Sequence, residues 1–140
     1  MAVSEPVTVP ICSSEHAITA RANGREMARR LGFSSSEVTL IVTAISELAR
    51  NILQYAGTGE IALIPVEVGE RIGLEIQARD SGPGIPNVQQ ALQTGFSTSG
   101  GLGVGLPGVR RLMDDFNIES EEGVGTIVTV RKWRKWQATR

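Results

Sequence analysis

The chain has 140 residues, 41% hydrophobic and 21% charged, with 14 basic against 15 acidic side chains and a net charge of −1. That is the size and make-up of one soluble globular domain, and so balanced a charge argues against a polyanion-binding surface and hence against a nucleic-acid partner. One cysteine, Cys12, and one histidine, His16, exclude an internal disulfide, a multi-histidine metal site and a His-centred triad. No run approaches the roughly 20 apolar residues of a membrane span, so no membrane partner and a cytoplasmic location are expected.

In chain order, Val7–Ile11 reads as a first strand, with Pro10 marking an edge or a strand end. Glu15 to Leu31 is helical in composition, although Asn23-Gly24 weakens its middle. Ser34-Ser-Ser-Glu37 fits a capping box and opens a helix to about Tyr55, whose apolar stripe is Val38, Ile41, Ile45, Leu48 and Ile52. Gly57-Thr58-Gly59 breaks it. Ile61–Val68 and Ile72–Ala78 read as two strands joined at Gly69-Glu70. A Gly/Pro loop over Asp80–Pro86, a short helix over Asn87–Gln93 and a Ser/Thr/Gly loop over Gly95–Gly103 follow. A helix from about Gly105 to Phe116 carries Leu106, Val109, Met113 and Phe116 on one face, and Ile118–Ser120 and Thr126–Trp133 close the chain as strands. The whole, residues 1–140, is expected to be a single α/β domain: a two-layer sandwich of a mixed, mainly antiparallel sheet with helices on one face.

Four constellations could carry chemistry. Glu47 and Asn51 stand at i and i+4 on the most regular helix and project together, away from the apolar stripe. Asp80-Ser-Gly82-Pro-Gly84-Ile85 follows a strand directly, so that a carboxylate at the strand end is joined to backbone that a ligand can approach closely. Six of the 16 glycines fall between Gly95 and Gly108. Those just before a helix free backbone N–H groups where the helix dipole is positive, which makes phosphate the expected guest. Gly103 to Gly108 also fits the dinucleotide pattern G-x-G-x-x-G, but a polar Ser/Thr loop precedes it where that fold requires a hydrophobic strand. Gly123-Val-Gly125-Thr126 leads into the last strand. Only two lysines exist, Lys132 and Lys135, so neither a P-loop nor the strand lysine of the common eukaryotic protein kinases is present.

In this order the four segments resemble the N, G1, G2 and G3 boxes of the GHKL superfamily, the Bergerat-fold ATP domains of gyrase, Hsp90, histidine kinases and MutL. The resemblance is nearest to the small bacterial anti-sigma-type serine/threonine kinases of RsbT-like switch type, through Thr43-Ala-Ile-Ser-Glu-Leu-Ala-Arg-Asn51 and Gly95-Phe-Ser-Thr-Ser-Gly-Gly-Leu-Gly103. It implies ATP and Mg²⁺ as cofactors. Asn51 would ligate Mg²⁺, and Glu47 would act as general base or orient the attacking hydroxyl. Asp80, supported by Thr126, would accept from the adenine amine. Gly82, Gly84 and Ile85 would shape the adenine pocket, and Gly101, Leu102, Gly103, Val104, Gly105 and Leu106 would surround the phosphates. The implied activity is Mg-ATP-dependent phosphorylation of STAS-domain antagonist or scaffold proteins in a stress-signalling, partner-switching (stressosome) module. A PP2C-type phosphatase or other regulator would act downstream. An anti-sigma factor that sequesters a sigma factor is the alternative. The chain departs from many anti-sigma kinases in having Tyr55 where they carry histidine and an uncharged Ser97–Gly100, which leaves Arg110 as the candidate to neutralise the γ-phosphate. His16 and Cys12 read as structural. Trp133 reads as a packed residue at a strand end whose basic neighbours stay solvated.

Overall fold

Strands β1 (Val7–Ile11), β2 (Gly59–Val68), β3 (Arg71–Asp80), β4 (Asp115–Glu121) and β5 (Gly125–Trp133) form one sheet in the order β1-β2-β3-β5-β4. The computed structural model describes residues 5–82, 105–121 and 123–135. The expected Asn87–Gln93 helix, the Gly95–Gly103 loop and the site residues Gly84, Ile85, Gly101, Leu102, Gly103 and Val104 lie outside the described residues. All four pairings are antiparallel, so no parallel pair gives the described sheet the mixed character expected for it.

Register sets which side chains meet. Val7, Leu63, Ile76 and Val130 form one row across the sheet, and Val9, Ile61, Ala78 and Val128 the next. Both rows lie on the face that packs against helices α1 (Ser14–Arg30) and α2 (Ser35–Tyr55), and the α2 residues Ile41, Ile45, Leu48 and Ile52 complete the same buried core. On the opposite face Glu75 takes a salt bridge from Arg131 at 2.7 Å, with Gln77 and Arg79 beside it. The alternation thus sorts apolar from polar residues as a one-sided antiparallel sheet requires. Pro10 sits on the edge strand, and Pro65 lies beyond the last β1 pairing, Val7 with Leu63, so neither removes a ladder donor from a central position.

Ser34 caps α2 reciprocally: its hydroxyl accepts from the Glu37 N–H at 3.2 Å, and its own N–H donates to Glu37 Oε1 at 2.8 Å. Gly24, read from sequence as a weak point, is the position where α1 crosses α2, since a Cβ there would run into Ile45 Cδ1. The third described helix, α3 (Gly105–Leu112), is shorter than expected. Lys132 Nζ donates to the Leu112 carbonyl at 2.9 Å, and Asp114 accepts the Trp133 N–H at 2.7 Å, which draws the chain into β4. Phe116 still lies toward the core, now as a strand residue opposite Val130.

The basic C-terminal run is only partly left in solvent: Arg131, Lys132 and Arg134 are half-buried, while Lys135 is exposed. Arg134 donates to the Leu31 carbonyl at 2.8 Å, and the Lys135 N–H to Glu37 Oε2 at 3.0 Å, tying the end of β5 to the turn between α1 and α2. Trp133 does pack: its Nε1 donates to Asp115 at 2.9 Å, and the Arg71 guanidinium lies 4.0 Å above its ring. His16 Nδ1 accepts the Cys12 N–H at 2.9 Å, a structural role for the only histidine.

Candidate functional site

Glu47 and Asn51 are consecutive turns of α2, placed by the capping box and the apolar stripe that fix the rotation of this helix. Their face does point away from the stripe, but it is not solvated. Glu47 is only 6% exposed, because the N-terminus of α3 packs over it and the Gly105 N–H donates to Glu47 Oε1 at 3.3 Å. Gly105 has φ +67°, left-handed backbone that favours glycine. A buried carboxylate at a helix N-terminus is stabilised by the amide and by the positive end of the dipole. Asn51 is half-buried one turn further on, and Leu106 is half-buried against the core. The sequence could not show this burial, since Gly105 lies 58 residues from Glu47.

The second half of the site lies at the end of the sheet. Asp80 is the last residue of β3, flanked in register by Gly59 on β2 and Thr126 on β5. Its Oδ1 accepts the Gly82 N–H at 2.9 Å, the Asx turn expected of Asp-Ser-Gly, while Oδ2 has no partner among the described residues. Thr126 is 8% exposed, and its hydroxyl lies 2.8 Å from that of Ser120 on β4. Ser120 was not singled out by sequence; its only signal is its place opposite Thr126 across the Glu121–Gly125 turn. A cavity of about 720 Å³ opens at this sheet end, lined by Asp80, Ser81, Gly125 and Thr126 and extending over the row Glu60, Arg79, Ile127 and Glu119 on the face opposite the helices. Glu47 and Asn51 are not among its lining residues. Arg110 is exposed on α3, and Tyr55 is exposed at the end of α2.

Residues 36–135 match the family described as histidine kinase-, DNA gyrase B- and HSP90-like ATPase. The chain belongs to this ATPase family. The match spans α2, Asp80 and Thr126, the parts from which the site is built. Within the family, the chain is 52% identical to the serine/threonine-protein kinase RsbT of Bacillus subtilis, over 83% of this chain and 87% of that one. It is 30% identical to an anti-sigma F factor of Geobacillus stearothermophilus, over 85% of each chain. The RsbU and RsbW domains of a Mycobacterium tuberculosis protein share the fold, with a TM-score of 0.66 and 19% identity over 98% of this chain and 35% of that longer one. The mycobacterial sensor histidine kinase MprB shares it with a TM-score of 0.54 and 17% identity, over 96% of this chain and all of that one. With half its aligned residues common to a serine/threonine kinase along most of both lengths, this ATPase-family chain is a protein serine/threonine kinase that uses ATP.

Proposed function

We propose that this kinase domain transfers the γ-phosphoryl group of Mg-ATP to a serine or threonine of a small STAS-domain protein in a partner-switching stress module. The observation that carries the reading is the burial of Glu47 against the first amide of α3, one helical turn from Asn51. Phosphoryl transfer asks little covalent chemistry of a protein beyond positioning and charge stabilisation. A carboxylate, a metal-binding amide and a helix N-terminus supply both.

The donor set fits Mg-ATP. Among the described residues no three carboxylate, histidine or cysteine side chains gather into a cation cage. Mg²⁺ commonly binds through one or two side chains together with substrate phosphates and water, and the Asn51 amide oxygen would serve as such a side chain. When bound, Mg-ATP supplies the phosphoryl group and the metal's charge. Asp80 Oδ2 would accept the exocyclic amine of adenine; the reading is supported by Thr126 beside it across the ladder and by Oδ1 alone being taken by the Gly82 N–H. Gly82, half-buried next to Asp80, lets the turn pack on Ala56, whose Cβ would lie 2.6 Å from a Cβ placed there. Gly105 and Leu106 begin the helix whose N-terminus would face the phosphates, together with Gly101, Leu102, Gly103 and Val104; Gly84 and Ile85 would complete the adenine pocket. The Glu47 carboxylate would take the proton of the attacking hydroxyl. The Gly105 N–H engages Oε1 alone, at 3.3 Å, so Oε2 would be the oxygen that takes that proton.

No helix among the described residues is long and apolar enough to cross a membrane. The module proposed is a cytoplasmic one, with a PP2C-type phosphatase or another regulator downstream. Kinship to anti-sigma F factors favours a second reading, sequestration of a sigma factor. One experiment separates the two. With ATP labelled at the γ-phosphate, label should move to a STAS-domain protein and not to its Ser→Ala phosphoacceptor variant. Capture of a sigma factor with no transfer to any STAS protein would favour the second reading.

A further inference from the structure

Away from that site α1 and α2 enclose another groove, of about 270 Å³. Arg25 and Arg29 form one wall, Thr39 and Thr43 the other, and the buried Phe33 and Val38 the floor. Both threonine hydroxyls donate to backbone carbonyls, Thr39 to Ser35 at 3.1 Å and Thr43 to Thr39 at 2.8 Å. The side-chain donors left to the groove are therefore the two guanidinium groups and the hydroxyl of Ser35.

Neither guanidinium is needed by the fold. On α1 the described ion pair joins Arg30 to Glu26 at 3.0 Å, and Arg25 and Arg29 have no acidic partner among the described residues. Like charges at i and i+4 cost a helix about 0.2–0.5 kcal/mol. Arg29, in the last turn, gains from the helix dipole, but Arg25 lies outside that turn. Two exposed, unpaired cations roughly 6 Å apart along the axis, beside an apolar floor, match a segment with carboxylates at the same spacing and apolar residues between them. An extended polyanion would meet Glu26 on the same helix and gain nothing from Phe33 and Val38.

We infer that this groove docks an acidic, amphipathic helical segment of the protein substrate. The inference rests on the kinase reading for the identity of the partner. Thr43, at one end of the groove, is one turn of α2 before Glu47, so the docked segment and the phosphoacceptor can belong to one molecule. Charge complementarity at such a surface sets specificity and association rate, and it weakens as salt is raised.

The test uses the full chain and a fluorescent helical peptide of about 15 residues, with Glu at i and i+4 flanking a Leu face. A Lys-for-Glu counterpart and a mixed-sequence DNA duplex serve as the other probes. The acidic peptide should bind, and binding should weaken with salt. Arg25→Glu with Arg29→Glu should weaken it about tenfold or more, whereas Arg111→Glu, the same charge change on exposed α3, should not. The double variant should keep its Mg-ATP affinity and melt at most a few degrees lower, since Arg29→Glu gives up the favourable charge at the end of α1. No binding of the acidic peptide, equal binding by the double variant, or equally tight binding of the Lys peptide or the duplex would each overturn the inference. A chain that binds the peptide but not Mg-ATP would remove the kinase reading and leave the groove as a docking surface. One that binds Mg-ATP but not the peptide would remove the groove alone.

Discussion

On the proposed reading, Asp80 divides its carboxylate between the fold and the ligand. Oδ1 closes the turn onto the Gly82 N–H, and Oδ2 is left at the sheet end beside Thr126. Asp80→Asn keeps the turn if the amide oxygen stays on Gly82, and then directs an NH₂ donor at the donor amine of adenine. Loss of a charged acceptor costs about 1.5–3 kcal/mol, so ATP affinity should fall about 10- to 100-fold with little change in melting temperature. The same acceptor should discriminate against guanine, which carries a carbonyl where adenine carries its amine. Equal calorimetric affinities of the wild type for ATP and GTP would contradict the role given to Asp80. This residue was legible in sequence because its neighbours are local: a strand end, a serine and a glycine. Glu47 was legible only as a position. Helical arithmetic placed it off the apolar stripe, but what covers that face is contributed by α3, and no periodicity within α2 encodes it.

At the scale of elements, the α1–α2 crossing rests on Gly24 against Ile45. Gly24→Ala gains about 0.5–1 kcal/mol of helix propensity, but the overpacking it forces costs about 1–3 kcal/mol. The variant should therefore melt a few degrees lower by circular dichroism, and Ile45→Val in the same chain should restore part of the loss. A higher melting temperature for Gly24→Ala would contradict close packing at this crossing. Propensity alone misread this glycine as a weak point, because its reason lies on another helix. The β2–β3 hairpin and α2 were legible, since Gly69-Glu70 and Ser34…Glu37 carry their own turn and cap chemistry. The end of α3 was not. The helical pattern continues to Phe116, but Lys132 and the Trp133 N–H, both from β5, end the helix at Leu112 and begin β4.

Over the whole molecule, Glu37 joins the first turn of α2 to the end of β5. Burial pushes its carboxyl pKa up, but the N–H donors of Ser34 and Lys135, with the Ser34 hydroxyl and the Lys135 charge, outweigh burial and hold it below the ordinary glutamate value. The charged form is thus favoured by folding, so its stabilisation is complete above the ordinary value of 4.5 and is lost as pH falls through the lower folded value. Glu37→Ala should cost about 1–2 kcal/mol at neutral pH, and urea unfolding should show the gap to wild type closing as the solution is acidified below 4.5. A gap that stays constant throughout would contradict the linkage. The capping box and apolar stripe of α2 and the N-terminus of α3 hold Glu47 buried, with Asn51 half-buried one turn on, and the central claim is that this arrangement transfers phosphate. The most direct measurement follows label from γ-labelled Mg-ATP to a STAS-domain serine, beside calorimetric Mg-ATP affinity, for the wild type, Glu47→Gln and Asn51→Ala. Glu47→Gln should bind Mg-ATP nearly as the wild type does and transfer about 10²–10⁴-fold more slowly, while Asn51→Ala should lose binding and transfer together. Unimpaired transfer by Glu47→Gln, or Mg-ATP binding by Asn51→Ala equal to wild type, would contradict the account.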